Sequence, residues 1–150
     1  MDSKEEPTVL SAIILSDHAI REAGTNKLTL IGIFSNWNLP SFPFKTPPFY
    51  ITPFITNLRR AGERALSVRI ESVKERIVVL GFGGKFGIPA NIPANAIIDT
   101  PIPIIQGMIL PQAGTYRIYV LIDGEEIGSR DFEVVAITGN PLNPGQIVGQ

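Results

Sequence analysis

Three residue types used in nucleophilic catalysis stand side by side near the N-terminus, as Ser16, Asp17 and His18, and His18 is the only histidine of the chain. In a strand, Ser16 and His18 would share one face and Asp17 would point the other way. A catalytic triad instead needs three side chains that converge from separated positions, with the imidazole in the middle. We therefore expect His18 to have a structural role at a strand end. One histidine without any cysteine also leaves too few preferred ligands for zinc.

A glycine-rich stretch at positions 81–87, Gly-Phe-Gly-Gly-Lys-Phe-Gly, invites comparison with phosphate-binding loops. The spacing does not match, because Val79 stands where the first glycine of a P-loop is needed and Phe86 stands where its Ser or Thr is needed. The dinucleotide-binding pattern fails at Phe86 as well. The stretch is interpreted as a glycine-rich loop between strands, and no cofactor is expected.

Carboxylates could pair across a cleft for glycoside hydrolysis, which needs two of them on either side of the bond. The candidates are Asp99, Asp123, Glu125, Glu126, Asp131 and Glu133. Most of them lie in or beside a turn at Asp123-Gly124, where acidic residues are ordinary choices. Calcium binding by this group lacks the alternating Asp-x-Asp-x-Asp spacing. No metal site is expected, and a carbohydrate-active or other ligand-processing enzyme using carboxylates at 123–131 is kept as the alternative function.

The elements that would position such residues belong to one domain, because the chain has 150 residues. A formal net charge of -1 argues against nonspecific nucleic-acid binding. The absence of cysteine excludes disulfide scaffolds and thiol catalysis. The longest apolar stretch is interrupted by polar residues and prolines, and the acidic start is unlike a secretory signal. We expect a cytoplasmic protein with neither a nucleic-acid partner nor a membrane.

Short strands dominate the predicted fold. Thirteen prolines and fourteen glycines divide the chain into short segments, and residues 66–71 alternate between apolar and polar side chains as in a half-buried strand. Asp123-Gly124 between two apolar runs predicts a hairpin with a type I′ turn. His18–Ala23 could form one helical turn at most. The sequence thus predicts an all-β protein, an antiparallel β-sandwich over residues 8–137, with an N-terminal tail at 1–7 and a C-terminal tail at 138–150.

One detail favours an immunoglobulin-like architecture for this sandwich. Ala113-Gly114-Thr115-Tyr116 opens a strand that leads into the Asp123-Gly124 hairpin. Immunoglobulin-like domains carry a tyrosine corner at the corresponding place, where the phenol hydroxyl bonds back to the main chain. A tyrosine corner is therefore predicted at Tyr116.

Several predicted strands are apolar on both faces. In the run 27–34, Leu28 and Leu30 lie on one side, while Ile31 and Ile33 lie on the other. In the run 115–122, a second face carries Tyr119 and Leu121. A sheet with one face in water should alternate instead. Either another segment of the chain, such as 38–48, or another subunit is expected to cover the extra apolar face.

Five aromatic residues stand in or beside the proline-rich segment 38–48: Trp37, Phe42, Phe44, Phe49 and Tyr50. Because aromatic side chains are enriched at the energetic centres of interfaces, these residues are predicted to bind a partner. The alternative is that they close the end of the sandwich as core residues.

The chain also resembles a known family in several segments. These are Leu15–Ile20, the run Lys27-Leu28-Thr29-Leu30-Ile31-Gly32-Ile33-Phe34, Phe42-Pro43, Gly114-Thr115-Tyr116 and residues 121–128. Together they are similar to an uncharacterised family of small bacterial proteins, a domain of unknown function, over residues 8–137. The resemblance implies a bacterial or phage-like, cytoplasmic setting and gives no catalytic residues to transfer.

The function predicted from the sequence is that of a non-enzymatic binding or assembly module. It would bury its apolar sheet face against a protein partner or a second copy of itself, and a homo-oligomer is expected. A non-catalytic binder of glycans or small molecules, which would use the same aromatics in a concave site, is a further alternative.

Overall fold

The computed structural model describes residues 8–58, 61–93 and 95–137. Within these ranges every regular secondary-structure element is a β-strand. The prediction of an all-β antiparallel sandwich is thereby confirmed, while the domain bounds 8–137 and an immunoglobulin-like topology stay predictions. The proposed tails at 1–7 and 138–150 lie outside the described residues. No helix in the described ranges is long and apolar enough to cross a membrane.

Twelve strands follow one another along the chain. They are β1 (Val9–Arg21), β2 (Leu28–Phe34), β3 (Trp37–Leu39), β4 (Phe44–Lys45), β5 (Phe49–Thr56), β6 (Gly62–Ser72), β7 (Val78–Ile88), β8 (Ile98–Asp99), β9 (Ile102–Ile104), β10 (Ile109–Leu110), β11 (Gly114–Ile122) and β12 (Glu125–Ala136). The proline-rich segment 38–48 forms no long strand, as expected where prolines remove ladder donors.

The first sheet has the order β2-β1-β5-β8, and β9 also pairs with β5; all of its pairs are antiparallel. Its central strand β5 carries a proline, Pro53, opposite Ile13 of β1. The Pro53 carbonyl accepts a hydrogen bond from the Thr100 N–H at 3.3 Å, so the main-chain bonding side of Pro53 faces away from β1. The missing N–H therefore removes no bond from the β1–β5 ladder.

The second sheet has the order β3-β12-β11-β6-β7. It consists of two hairpins, β6–β7 and β11–β12, joined through the antiparallel pair β6–β11. The short strand β3 adds to β12 in parallel. A separate two-stranded ribbon pairs β4 with β10.

A single hydrophobic core lies between the two sheets. It includes Ile13, Leu15 and Ile51 from the first sheet and Ile70 and Ile118 from the second, each at most 3% exposed. The strands therefore alternate as a sandwich requires, with every second side chain directed inward. In β11 the burial alternates along the strand from Thr115 to Ile122.

The local turn predictions agree with the backbone. Asp123 and Gly124 both have positive φ, at 50° and 82°, as a type I′ turn requires. The Tyr116 hydroxyl donates a hydrogen bond of 2.7 Å to the main-chain oxygen of Gln112. The bond predicted for a tyrosine corner is thus present at the start of β11.

Two local predictions are wrong. The segment His18–Ala23, for which at most one helical turn is predicted, contains no helix: residues 18–21 continue strand β1 and pair with β2 in register up to Arg21 opposite Leu28. The glycine-rich stretch 81–87 is part of strand β7 and not a loop. Gly81, Gly83 and Gly87 lie at exposed positions of β7, so a missing side chain there leaves no cavity in the core.

Candidate functional site: the outer face of the first sheet

The outer side of the first sheet carries an apolar surface. Ile20 is 52% exposed, Ile31 45% and Ile33 60%. Ile33 lies opposite Ser16 and Ile31 opposite His18, so these side chains share the face that points away from the core. Two half-buried residues of the same face adjoin them, Ile14 on β1 and Tyr50 on β5. We call these five apolar residues, Ile14, Ile20, Ile31, Ile33 and Tyr50, the outer patch.

Strand register explains why the outer patch is continuous. Ser16 faces Ile33 on one side and Tyr50 on the other, and Tyr50 in turn faces Pro103 of β9. One row across the sheet therefore contains Ile33, Ser16, Tyr50 and Pro103. Directly opposed residues on one sheet face stand close enough for their side chains to touch. The sequence feature that produces the patch is the doubled apolar pattern of residues 28–34.

Two hydroxyl groups lie beneath this surface. Ser16 and Thr52 are both fully buried although they belong to the outward side of their strands. The Ser16 hydroxyl donates a hydrogen bond of 3.1 Å to the carbonyl oxygen of His18. The Thr52 hydroxyl has no hydrogen-bond partner among the described residues. Neighbouring side chains therefore already exclude water from the centre of the patch, whereas its rim is exposed.

The outer face of the second sheet is different because it is charged. Arg117 and Asp131 are paired across β11 and β12, with their side-chain atoms 2.6 and 3.0 Å apart. The Arg69 guanidinium lies 4.7 Å above the Tyr119 ring and Arg69 Nε is 3.5 Å from a Glu71 carboxylate oxygen. The extra apolar surface expected at Tyr119 is thus covered within the chain by an arginine.

The five aromatics predicted to bind a partner divide into two groups. Trp37 and Phe49 are only 1% and 2% exposed, so a partner cannot reach their side chains, and the prediction is wrong for these two. Their ring centres are 5.4 Å apart in the core, which is the alternative considered above. Phe42 and Phe44 are half-buried against the core, and Tyr50 belongs to the outer patch. For these three, partner binding stays a prediction.

Asp99, Asp123, Asp131 and Glu133 each pair with a cationic or hydroxyl side chain, whereas Glu125 and Glu126 line the same cavity. Asp123 lies 2.5 Å from Arg64 Nε, and Asp131 pairs with Arg117. Glu133 accepts a hydrogen bond of 2.7 Å from the Thr115 hydroxyl. The Arg117 hydrogen bond lowers the pKa of Asp131, whereas a carboxyl that acts as general acid needs a raised pKa. In the described part of the chain no three His, Asp or Glu residues cluster as metal ligands would.

The trio Ser16, Asp17 and His18 does not converge. It lies within strand β1 and not at a strand end, where His18 was expected, and the Ser16 hydroxyl is directed to a main-chain oxygen and not to the imidazole. Asp17 stands opposite Gly32, so close that a Cβ at position 32 would lie 2.3 Å from an Asp17 carboxylate oxygen. Asp17 is therefore packed against the next strand, and His18 is left exposed at the edge of the outer patch.

Comparison with known proteins places the chain in a family. Residues 11–135 match the model of DUF6941, a family of unknown function. The chain belongs to this family. The match covers β1 to β12 almost completely, so the DUF6941 domain corresponds to the sandwich. No curated protein matches the DUF6941 chain in sequence.

A structural comparison adds little to this assignment. An alkylpurine DNA glycosylase from Pseudomonas fluorescens, AlkC, bound to DNA with an abasic site analog, is similar with a TM-score of 0.41 and 20% sequence identity. The similarity covers 68% of the DUF6941 chain and 28% of the glycosylase chain. Likeness at this level carries no argument about activity or partners.

Proposed function

We propose that this protein is a non-enzymatic assembly module that self-associates by packing the outer patch of one copy against that of another. The observation that carries the proposal is the exposure of Ile20, Ile31 and Ile33 on one sheet face, whose centre is already dry. Contiguous apolar surface of this kind is characteristic of interfaces.

A second copy is the occupant that the charge distribution favours. The five residues of the outer patch carry no charge at neutral pH, and Arg21 of β1 is paired with Asp99 of β8. Two such faces can meet without like charges being opposed, which is a requirement for an isologous interface. The charged outer face of the second sheet would instead place Arg117 and Asp131 in a desolvated contact, which is costly.

The free energy gained by burying Ile20, Ile31 and Ile33 is sufficient only for a weak association. Fully burying one isoleucine side chain contributes about 1.5–3 kcal/mol, and each of these three is roughly half exposed. The gain is therefore on the order of a few kcal/mol, and a dissociation constant of about 1 mM corresponds to about 4 kcal/mol. We expect a dimer that forms at high protein concentration.

Two further aspects follow from the sequence. With a net charge of -1, we propose a protein partner and no nucleic acid or membrane. We also propose a cytoplasmic location in a bacterial or phage-like setting, in keeping with the resemblance of the family segments.

The test is sedimentation velocity from about 10 µM to about 1 mM, the range in which a small apolar interface associates. The wild type should shift from monomer to dimer, and Ile33→Glu should stay monomeric with an unchanged melting temperature. Val135→Glu is the matched control, since Val135 is 48% exposed on the second sheet, and it should still dimerise. A wild type that remains monomeric throughout, or an Ile33→Glu variant that dimerises, would refute the proposal.

A further inference from the structure

One side of the sandwich, between β1 and β12, is open along part of its length. Strand β2 pairs with β1 only between Leu15 and Arg21, and β3 pairs with β12 only between Val134 and Ala136. Within the described residues, positions 9–14 of β1 and 125–132 of β12 therefore have no strand beside them on this side. Each edge presents main-chain groups that a further strand could pair with.

Two cavities lie along this open side. The first, of about 390 Å³, is lined by Thr8, Val9, Arg64, Ile122, Glu125, Glu126 and Ile127. The second, of about 360 Å³, is lined by residues 10–14, Ile33, Ser35, Ser129 and Arg130. Leu10 separates the two cavities where it approaches Gly128, at which an added Cβ would lie 2.8 Å from the leucine side chain. We call the two cavities together the side cleft.

An arginine side chain occupies the place of a missing strand in the side cleft. Arg130 reaches across from β12, and its guanidinium donates a hydrogen bond to the main-chain oxygen of Ile13. Because the N–H and C=O of one residue in an extended strand point to the same side, the Ile13 N–H also faces the cleft. The Pro53 geometry agrees, since the opposed residue pair Ile13–Pro53 directs its main-chain groups away from each other.

We propose that the side cleft binds an extended peptide segment of a partner protein, which adds as a strand to residues 9–14 of β1. The peptide main chain would replace the Arg130 guanidinium at the Ile13 carbonyl and accept from the Ile13 N–H. This mode of recognition obtains its affinity from main-chain hydrogen bonds and its specificity from pockets for alternate side chains. The two cavities, on either side of Leu10, provide such pockets.

The lining indicates which peptide side chains would fit. The second cavity combines the aliphatic side chains of Leu10, Ile14 and Ile33 with seryl groups at positions 11, 35 and 129. Small apolar and hydroxyl side chains, such as Val and Thr in alternation, match this lining and also favour an extended backbone. The first cavity contains Glu125 and Glu126 beside Arg64, so a peptide end bearing lysine would be accepted there.

Other strands also end a sheet, namely β2, β3, β7, β8 and β9, whereas the two cavities described here lie beside β1 and β12. The side cleft overlaps the outer patch at Ile14 and Ile33, but the main-chain groups that would pair with a peptide belong to the open edge of β1. The inference therefore does not depend on self-association.

The experiment uses the full chain, labelled with nitrogen-15, and a soluble probe peptide, acetyl-Lys-Thr-Val-Thr-Val-Thr-Lys-amide. Titration followed by NMR should shift the amide signals of residues 9–14 and 125–132. The matched control is the same peptide with N-methylated main-chain amides, which keeps its side chains but cannot donate. It should bind at least tenfold more weakly, because each lost hydrogen bond reduces affinity about fivefold.

A variant gives a second, independent readout. Arg130→Met removes the competing guanidinium from the Ile13 carbonyl, so the probe peptide should bind about fivefold more tightly. Equal binding of the methylated peptide would overturn the proposal, as would shifts confined to β2 or β7, or no shift at about 1 mM peptide. Protection of the Ile13 amide from hydrogen exchange in the peptide-free monomer would overturn it too, since the chain itself would then occupy the edge. A dimer that forms while the peptide fails to bind would separate this inference from the proposed function.

Discussion

The phenol oxygen of Tyr116 lies 2.7 Å from the main-chain oxygen of Gln112, to which it donates a hydrogen bond. The Tyr116 ring is stacked on Phe132 at a centroid distance of 5.5 Å, and the side chain is 1% exposed. Burial raises the pKa of the Tyr116 phenol. The bond ties the segment that enters β11 to the strand itself, at the point where the chain crosses into the second sheet.

Tyr116→Phe tests this bond. The variant keeps the ring packing and loses the hydroxyl, which should lower the free energy of unfolding by about 1 kcal/mol at neutral pH. The Gln112 carbonyl is left without its donor, so the loss is expected even though the ring remains. Urea denaturation followed by circular dichroism measures it, and Tyr50→Phe, whose hydroxyl lies on the outer patch, is the control expected to change little.

The same residue should produce an alkaline pH dependence. Because the pKa of Tyr116 is higher in the folded state than in the unfolded state, its stabilisation is complete below the unfolded value of about 10. As pH rises above that value, the unfolded chain ionises first and stability falls. The difference in the free energy of unfolding between wild type and Tyr116→Phe should therefore shrink above about pH 10. A constant difference between the two proteins from pH 7 to pH 11 would contradict this assignment.

The local features of this chain are readable from its sequence because they depend on neighbouring residues. The Asp123-Gly124 pair predicts a turn because the turn needs a positive φ at both residues. Tyr116 predicts a hydrogen bond from its hydroxyl to the main chain a few residues before it. Ile31 and Ile33 were also anticipated on a second apolar face, and the sheet leaves both exposed. Periodicity is sufficient for that assignment because side chains alternate strictly along a strand.

Other features depend on contacts between distant segments, and here the sequence is not sufficient. Aromatic side chains such as Trp37 and Phe49 are typical of interfaces, but whether they face a partner or the core depends on distant pairings. Trp37 lies on β3, which pairs with β12 about a hundred residues away, and Phe49 lies on β5, which pairs with β9. The side cleft was not anticipated at all. It arises where β2 leaves β1 and β3 joins β12, and no motif in residues 9–14 signals that an edge stays open there.

Trp37 is expected to be a stability residue and not an interface residue. Its ring centre lies 4.7 Å from Phe34 and 5.1 Å from Phe132. Trp37→Ala should therefore reduce the free energy of unfolding by about 3–5 kcal/mol, the usual cost of removing a large buried aromatic side chain. Urea denaturation followed by circular dichroism measures this loss.

Trp37→Phe is the informative comparison for the same position. The Trp37 indole Nε1 is buried without a hydrogen-bond partner among the described residues, and an unsatisfied buried donor costs about 1–3 kcal/mol. Losing that donor offsets part of the cavity, so Trp37→Phe should cost far less than Trp37→Ala. Neither variant should change the concentration at which the folded protein dimerises, and a specific loss of dimer in Trp37→Phe would contradict the core assignment.

Gly107 connects β9 to β10 in a conformation that needs glycine. Its φ is +65°, and a Cβ there would lie 2.1 Å from the Thr46 carbonyl oxygen. Thr46 is held in place by two hydrogen bonds of 2.9 Å to Met108. Its N–H donates to the Met108 carbonyl oxygen, and its hydroxyl oxygen accepts from the Met108 N–H. Gly107→Ala should therefore destabilise the protein by about 2 kcal/mol or more, since left-handed strain and a backbone clash add.

Gly24→Ala is the matched control for the clash. Gly24 also has a positive φ, of +90°, but an added Cβ would meet nothing within 4 Å. It should cost only the backbone strain, about 1 kcal/mol. Thermal unfolding of both variants compares the two positions, and equal losses would mean that the contact with Thr46 can relax without cost.

The Arg117–Asp131 pair allows a test of the charged outer face at low pH. The side chains are 37% and 43% exposed, so solvent screens the pair and its contribution to stability is small. Because the Arg117 hydrogen bond lowers the pKa of Asp131 in the folded state, the stabilisation is present above the ordinary aspartate value of about 3.9 and disappears as pH falls through the folded value. Asp131→Asn should be slightly less stable than wild type at pH 7, and the difference in stability should disappear as pH falls through the folded pKa of Asp131. Added salt should shrink the difference at pH 7, and a difference that persists at low pH or in high salt would mean that Asp131 acts through packing instead of charge.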